Sequence, residues 1–227
     1  MKKPVNPNRA PVSAKGDATR SQILDACEIL FARNGYLGTS LRHIASEAGV
    51  RIGVLHYHYG NKHLILEAAL DRKLGLLRET IAAGITDAEE GAECVEPEEI
   101  VSAFILPFMQ AAASVDSPLR NYIVMTSHLM SAYRMPELRP ILAKLGVISE
   151  MLTDRIQRHR PGISERNLLA GVYLIEAALI FMVQDPGFLD DLSDNHHSVD
   201  RLEEMAAPAL CFFTGGLEYL DRLEVCA

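Results

Sequence analysis

Residues 41–59 carry side chains suited to gripping a nucleic-acid duplex. Arg51, His56, Tyr57 and His58 close the run TSLRHIASEAGVRIGVLHYHY, and Lys62 follows at once. Guanidinium, imidazole, phenol and ammonium groups donate well to phosphate oxygens and to base edges. That is the chemistry of recognition, not of bond breaking. Such groups are useful only if a rigid element holds them out. Ile44, Ala48, Val50 and Leu55 are spaced to lock two short helices together. Ala45 is small enough for a close crossing, and Gly49 suits a left-handed turn between them. The spacing predicts a helix-turn-helix whose second helix, over 52–59, enters a major groove.

The elements around this pair also read as helices. Ile23, Cys27, Leu30 and Phe31 form an apolar stripe at spacings of three and four, between a cap at Asp17 or Thr19 and a stop at Gly35. Ser40 can cap the next helix, and Asn61 can cap a long one reaching into the 80s. Beyond an acidic loop at 87–96, Pro97 opens a helix that Pro107 should kink. Further helices are expected from Ser117-Pro118, over 136–160, from a cap at Ser164, and from a cap at Ser198 to about Leu220. A loop is expected from Asp185 to His197. No strand alternation or internal repeat is visible. The fold class is therefore all-α, with about nine helices. Residues 1–16, with three prolines and Lys2, Lys3, Arg9 and Lys15, read as a flexible basic tail.

The whole chain is acidic, with a net charge of −8. Its distribution is uneven. Residues 1–73 hold 11 basic and 6 acidic side chains, a sum of +5, and residues 74–227 hold 11 and 24, a sum of −13. A basic head on an acidic body is the asymmetry expected when only the head meets phosphate. Cys27, Cys94, Cys211 and Cys226 are too scattered for a disulfide framework or a metal cage. They read as reduced thiols of a cytoplasmic protein, and no apolar leader precedes them. His56 and His58 are two apart on one helix and point about 200° apart, so they cannot share an ion. Neither a metal nor any other cofactor is expected. No nucleophile elbow or phosphate loop is present, which argues against an enzyme. The apolar run at 168–183 is short for a membrane span and holds Glu176, so a core or interface helix is expected.

The pieces ILDACEILFARNGY, TSLRHIASEAGV and GVLHYHYGNKHLIL within residues 19–73 resemble the N-terminal domain of the TetR family of bacterial transcriptional regulators. The resemblance implies a helix-turn-helix DNA-binding domain over 17–62. It also implies a helical ligand-binding and dimerisation domain over 63–227. The partners implied are double-stranded operator DNA, a second copy of the chain and a small, apolar inducer that relieves repression. Family roles pass to single positions. Thr39, Ser40, Tyr57, His58 and Lys62 would hold phosphates. Arg51, Ile52, Gly53, Val54 and His56 would face base edges. Arg51 suits guanine, and Ile52 or Val54 suits a thymine methyl. The chain departs from the family pattern at Arg51-Ile52, where Ser-Lys is common, at Val54 (threonine) and at His56 (tyrosine). At His43 an acidic residue would complete a capping box with Ser40.

Two regions of the body carry further expectations. The helix capped by Ser164 is apolar nearly all round, and the last helix is rich in apolar and small residues. Such helices suit a dimeric four-helix bundle, where the family places its interface. Leu168, Val172, Ile175 and Leu179 are expected there, with Met205, Leu210, Phe213 and Leu217. An inducer pocket is expected between 97 and 160. Its lining would include Phe104, Phe108, Met109 and Tyr122, with Met125, His128, Met130 and Tyr133. Tyr122 or His128 would be the polar anchor. The alternative classes are an enzyme and an architectural DNA-binding protein without an inducer. The large acidic body argues against the second.

Overall fold

The computed structural model describes residues 14–90, 96–185, 187–196 and 202–223. Among them are eleven α-helices, two short 3-10 helices and no strand. The head holds α1 (Ala14–Gly38), α2 (Leu41–Glu47) and α3 (Ile52–Tyr59). The long α4 (Lys62–Glu89) connects it to α5 (Pro97–Ala113) and α6 (Arg120–Met130). Then come α7 (Arg139–Leu142), α8 (Gly146–His159), α9 (Glu165–Gln184), α10 (Phe188–Leu192) and α11 (Ala206–Arg222).

Local chemistry accounts for several boundaries. The hydroxyl of Ser40 accepts from the backbone N–H of His43 at 3.1 Å and starts α2. Asn61 does the same for α4, accepting from Leu64 N–H at 2.9 Å. Ser164 accepts from Asn167 N–H at 3.3 Å and starts α9. Glu96 and Glu99 form a reciprocal capping box ahead of Pro97. Gly49 and Gly60 adopt φ of 64° and 78°, the left-handed turns that end α2 and α3.

Gly35 ends the regular part of α1, as expected: its φ of 63° and ψ of −178° are non-helical, and a separate turn runs on to Gly38. Other expectations need correction. The helix expected over 136–160 is divided. α7 passes into a 3-10 turn, Ala143–Leu145, before α8 begins at Gly146. Pro136 and Pro140 lack donors for a regular first stretch. The expected loop at 185–197 contains the short α10. The cap expected at Ser198 and the tail expected over 1–13 lie outside the described residues.

One buried apolar cluster runs through head and body. α6 lies along α1, and the buried Tyr122 of α6 donates its hydroxyl to Leu70 O of α4 at 2.8 Å. Close approach is built in at Gly84, where a Cβ would fall 2.7 Å from Ala103 O of α5. Gly171 is similar, since a Cβ would meet Leu217 Cδ2 of α11 at 2.6 Å.

Candidate nucleic-acid interface

α3 is held by two anchors. Leu55 and Tyr59 are buried one turn apart, and α3 packs against α2 and α4. The Tyr59 hydroxyl donates to Arg20 O at 3.4 Å, and the Arg20 guanidinium lies 5.2 Å from its ring centroid. Burial raises the Tyr59 pKa, so the phenol stays neutral. With that side fixed, the rest of α3 faces outward. Arg51, Ile52, Gly53, Val54, His56 and Tyr57 are all exposed, Tyr57 at 85%. His58 is half-buried and edge-on to Tyr57, with ring centroids 5.2 Å apart. The structure thus brings the five expected base readers, with Tyr57 and His58, onto one short helix.

Two of the expected phosphate holders, Thr39 before α2 and Lys62 at the start of α4, turn inward. Thr39 is buried, and its hydroxyl lies 2.9 Å from Gly35 O and 3.2 Å from Leu30 O. That hydroxyl closes the end of α1 and is turned away from solvent, so its expected phosphate contact is corrected. Lys62 also points back into the head. Its ammonium donates to Tyr36 O at 2.8 Å and Thr39 O at 2.9 Å, and sits 4.0 Å from the Tyr36 ring centroid. Burial lowers its pKa. Lys62 therefore straps the α1–α2 turn to the start of α4. Ser40 caps α2 and stays part-exposed.

Sequence reasoning missed the joint behind the head. Glu28 is 2% exposed, yet it is paired with both Arg72 and Lys73 of α4. Arg72 also reaches Asp25 at 2.8 Å, and Lys73 donates to Pro118 O at 2.7 Å, just before α6. A carboxylate buried this deeply needs such partners. The signal was present: Leu24, Glu28 and Phe31 share one helical face at spacings of four and three.

In the body, the expected interface residues turn inward. Leu168, Val172, Ile175, Leu179, Phe213 and Leu217 are all buried within the one chain, and Met205 and Leu210 are partly buried. The six buried side chains are therefore not available to a second copy, whereas Met205 and Leu210 keep part of their surface open. The opposite faces of the same two helices are open. Leu169, Tyr173, Leu174 and Phe181 of α9 are exposed, as are Phe212 and Tyr219 of α11. By length and composition α9 is apolar enough to cross a membrane, which is how a helix apolar on both faces reads.

The expected inducer lining is also rearranged. Phe104, Met109, Tyr122 and Met125 are packed in the core, Phe108, His128 and Met130 are half-buried, and Tyr133 is exposed. Tyr122 spends its hydroxyl on Leu70 O, so it is not a free polar anchor. Burial also raises its pKa, so the phenol stays neutral. A hollow of about one water's volume, 10 Å³, lies elsewhere, lined by Ile100, Ile156, Ile163 and Leu217 with Arg160, Glu218 and Asp221. Among the described residues, no group of three or more His, Cys, Asp or Glu could hold a metal ion.

Comparisons with known proteins fit this geometry. A family model described as "Bacterial regulatory proteins, tetR family" matches residues 23–69. Another, "Tetracyclin repressor-like, C-terminal domain", matches residues 102–216, half of the chain. The chain is 38% identical over 92 residues to the HTH-type transcriptional regulator LmrA of Bacillus subtilis, 40% of this chain and 45% of that one. It is 37% identical over 70 residues to the HTH-type transcriptional repressor KstR2 of Rhodococcus jostii, 29% of this chain and 34% of that one. The chain thus matches less than half the length of these two curated relatives. Among solved structures it is similar in fold to the fatty acid degradation regulator FadR from Bacillus halodurans. The TM-score is 0.63 at 19% identity, covering 95% of this chain and 98% of that one. FadR from Bacillus subtilis in complex with stearoyl-CoA matches with a TM-score of 0.55 at 21% identity, covering 86% and 98%.

Proposed function

The chain belongs to the TetR family of bacterial regulators, and on that premise we propose that it is a dimeric transcriptional repressor that a small apolar ligand releases from its operator. The observation that carries the reading is α3: its core side is pinned by Leu55 and Tyr59, and its other residues are held out on a basic head. Arg51, Ile52, Gly53, Val54 and His56 face base edges. Tyr57, His58 and the Ser40 turn meet phosphates, with Lys62 bracing that turn. The head at 17–62 reads DNA, and the body at 63–227 pairs and takes the ligand. The protein acts by binding, in the cytoplasm, and not as an enzyme.

The second copy docks on the open faces of α9 and α11. Leu169, Tyr173, Leu174, Phe212 and Tyr219 expose apolar surface that water solvates poorly. A closed two-fold pair would cover it and set two heads side by side. The ligand enters by parting α5 and α6, where Met109, Met125 and Met130 can repack around an apolar guest. The stearoyl-CoA bound by the Bacillus subtilis FadR supports an acyl class of ligand.

Selection of bound fragments from random duplex DNA tests the first half. A short palindrome bound with steep salt dependence is expected, and equal binding to any duplex would overturn the reading. Titration of the complex with long-chain acyl compounds tests the second half. Release of the selected duplex is expected, and persistent binding with every acyl compound would remove the apolar inducer.

A further inference from the structure

We propose that His56 reads an exocyclic amino group, adenine N6 or cytosine N4, and so sets one base position of each operator half-site. This rests on the DNA-binding reading above and adds a chemical identity to the contact. His56 Nδ1 lies 2.7 Å from Gly60 O. A carbonyl oxygen only accepts hydrogen bonds, so Nδ1 must carry the hydrogen. With Nδ1 protonated, the neutral form of the ring holds its lone pair on Nε2, at the opposite edge. That edge has no partner among the described residues, and His56 is exposed.

The ring is held as well as assigned. Gly60 N–H donates to His56 O at 2.9 Å while His56 Nδ1–H donates to Gly60 O, so the two residues are tied twice. Gly60 can offer its carbonyl there because it takes φ of 78°, a conformation that most side chains resist. Among the described histidines of the head, only His56 has its ring fixed by a hydrogen bond to the backbone. It is therefore an acceptor oriented before DNA arrives, and a fixed acceptor discriminates better than a mobile one.

The major groove makes that acceptor selective. Only adenine N6 and cytosine N4 donate there, whereas guanine and thymine present acceptors that repel the Nε2 lone pair. Arg51, at the start of the same helix, is purely a donor. The two residues would read opposite chemistry at neighbouring positions, which fixes the direction of the half-site.

The test uses the full-length protein at about pH 8, where free imidazole is neutral. Operators are first selected from random duplex DNA with the parent, with His56→Ala and with His56→Gln. His56→Ala should lose its preference at one position per half-site, with affinity there falling about tenfold. His56→Gln keeps an acceptor and should retain part of that preference. At the identified pair, the amino group is then deleted by purine in place of adenine or by 2-pyrimidinone in place of cytosine. The loss should appear in the parent and vanish in His56→Ala. Removing N7 with a 7-deazapurine should not distinguish parent from variant. If only the N7 deletion does so, Nε2 donates and the proposal is wrong. If His56→Ala selects the parental site unchanged, His56 reads no base and the proposal fails alone. If the parent selects no site at all, the DNA-binding reading fails and takes this one with it.

Discussion

α3 and α9 are both helices that a partner should touch, yet only one displays the residues the sequence assigns to that partner. α3 has a contrast between faces: Leu55 and Tyr59 are buried, while Gly53, His56 and Tyr57 are exposed with Ile52, Val54 and the N-cap Arg51. α9 has no such contrast. Its buried stripe is Leu168, Val172, Ile175 and Leu179, and its open stripe is Leu169, Tyr173, Leu174 and Phe181. The hydrophobic effect follows area and ignores whose area it is. Where one face is polar, periodicity tells inside from outside. Where both faces are apolar, it reports two burials and cannot say which belongs to the chain's own core.

Ile175 and Leu174 give the largest test of that contrast, because they are neighbours in sequence with opposite fates. Ile175→Ala removes buried volume from the monomer and should cost about 2–5 kcal/mol in urea unfolding. Leu174→Ala, at a site 57% exposed, should cost the isolated chain less than about 0.5 kcal/mol. Leu174→Glu should reverse the order in sedimentation: it should dissociate the proposed pair, while Ile175→Val leaves the pair intact. Equal unfolding costs at the two positions would erase the distinction between the stripes.

The Glu28 joint should give the next largest effect, and it separates head from body. Glu28→Ala leaves the Arg72 and Lys73 charges without their shared buried partner. The expected cost is about 2–3 kcal/mol, below the range for fully buried pairs because both cations keep partial access to water. The same substitution frees Lys73 from its place beside Pro118, so ligand-driven release of DNA should weaken. Thermal melting and release titrations on one variant check the two effects. An unchanged melting temperature would show that Arg72 and Lys73 are satisfied by solvent.

Capping residues and turn glycines made the head legible from sequence. Ser40, Gly49, Gly60 and Asn61 each do locally what their types suggest, so α2, α3 and the start of α4 lie where expected. The body has fewer such marks, and a 3-10 turn at Ala143–Leu145 divides a helix that apolar spacing alone had joined. Tyr122 and Met125 suggest a pocket by type. Type does not reveal that Leu70 O already takes the Tyr122 hydroxyl. Thr39 and Lys62 spend donors on the protein's own carbonyls for a related reason. A hydroxyl or ammonium beside a DNA-reading helix can serve phosphate or the protein's own carbonyls, and only the three-dimensional turn decides.

Thr39 and Ser40 bring that choice down to adjacent residues. Thr39→Val keeps the shape and deletes the hydroxyl's hydrogen bonding to Gly35 O and Leu30 O, which should cost about 1 kcal/mol of stability. The salt dependence of DNA binding should not change. Ser40→Ala should lose about 1 kcal/mol through the α2 cap and also weaken binding to every duplex. Comparing melting with fluorescence anisotropy at several salt concentrations separates the two. A flattened salt slope in Thr39→Val would show that the hydroxyl turns outward to phosphate.

Lys62 is expected to give the smallest change, in the salt slope. A lysine that neutralises one phosphate contributes about 0.9 to the slope of log affinity against log salt. Two of the three Lys62 ammonium hydrogens go to Tyr36 O and Thr39 O, and the ring of Tyr36 shields one side of the charge. Lys62→Met keeps the stem and removes the strap. Affinity should fall for all sequences alike, because the turn that orients α2 loosens, while the slope changes by less than about 0.5. A full loss of about 0.9 would place the charge on phosphate and make the head's exterior richer than its geometry suggests. A small slope change with reduced affinity would place Lys62 with Leu55 and Tyr59, among the residues that hold the reading helix rather than those that read.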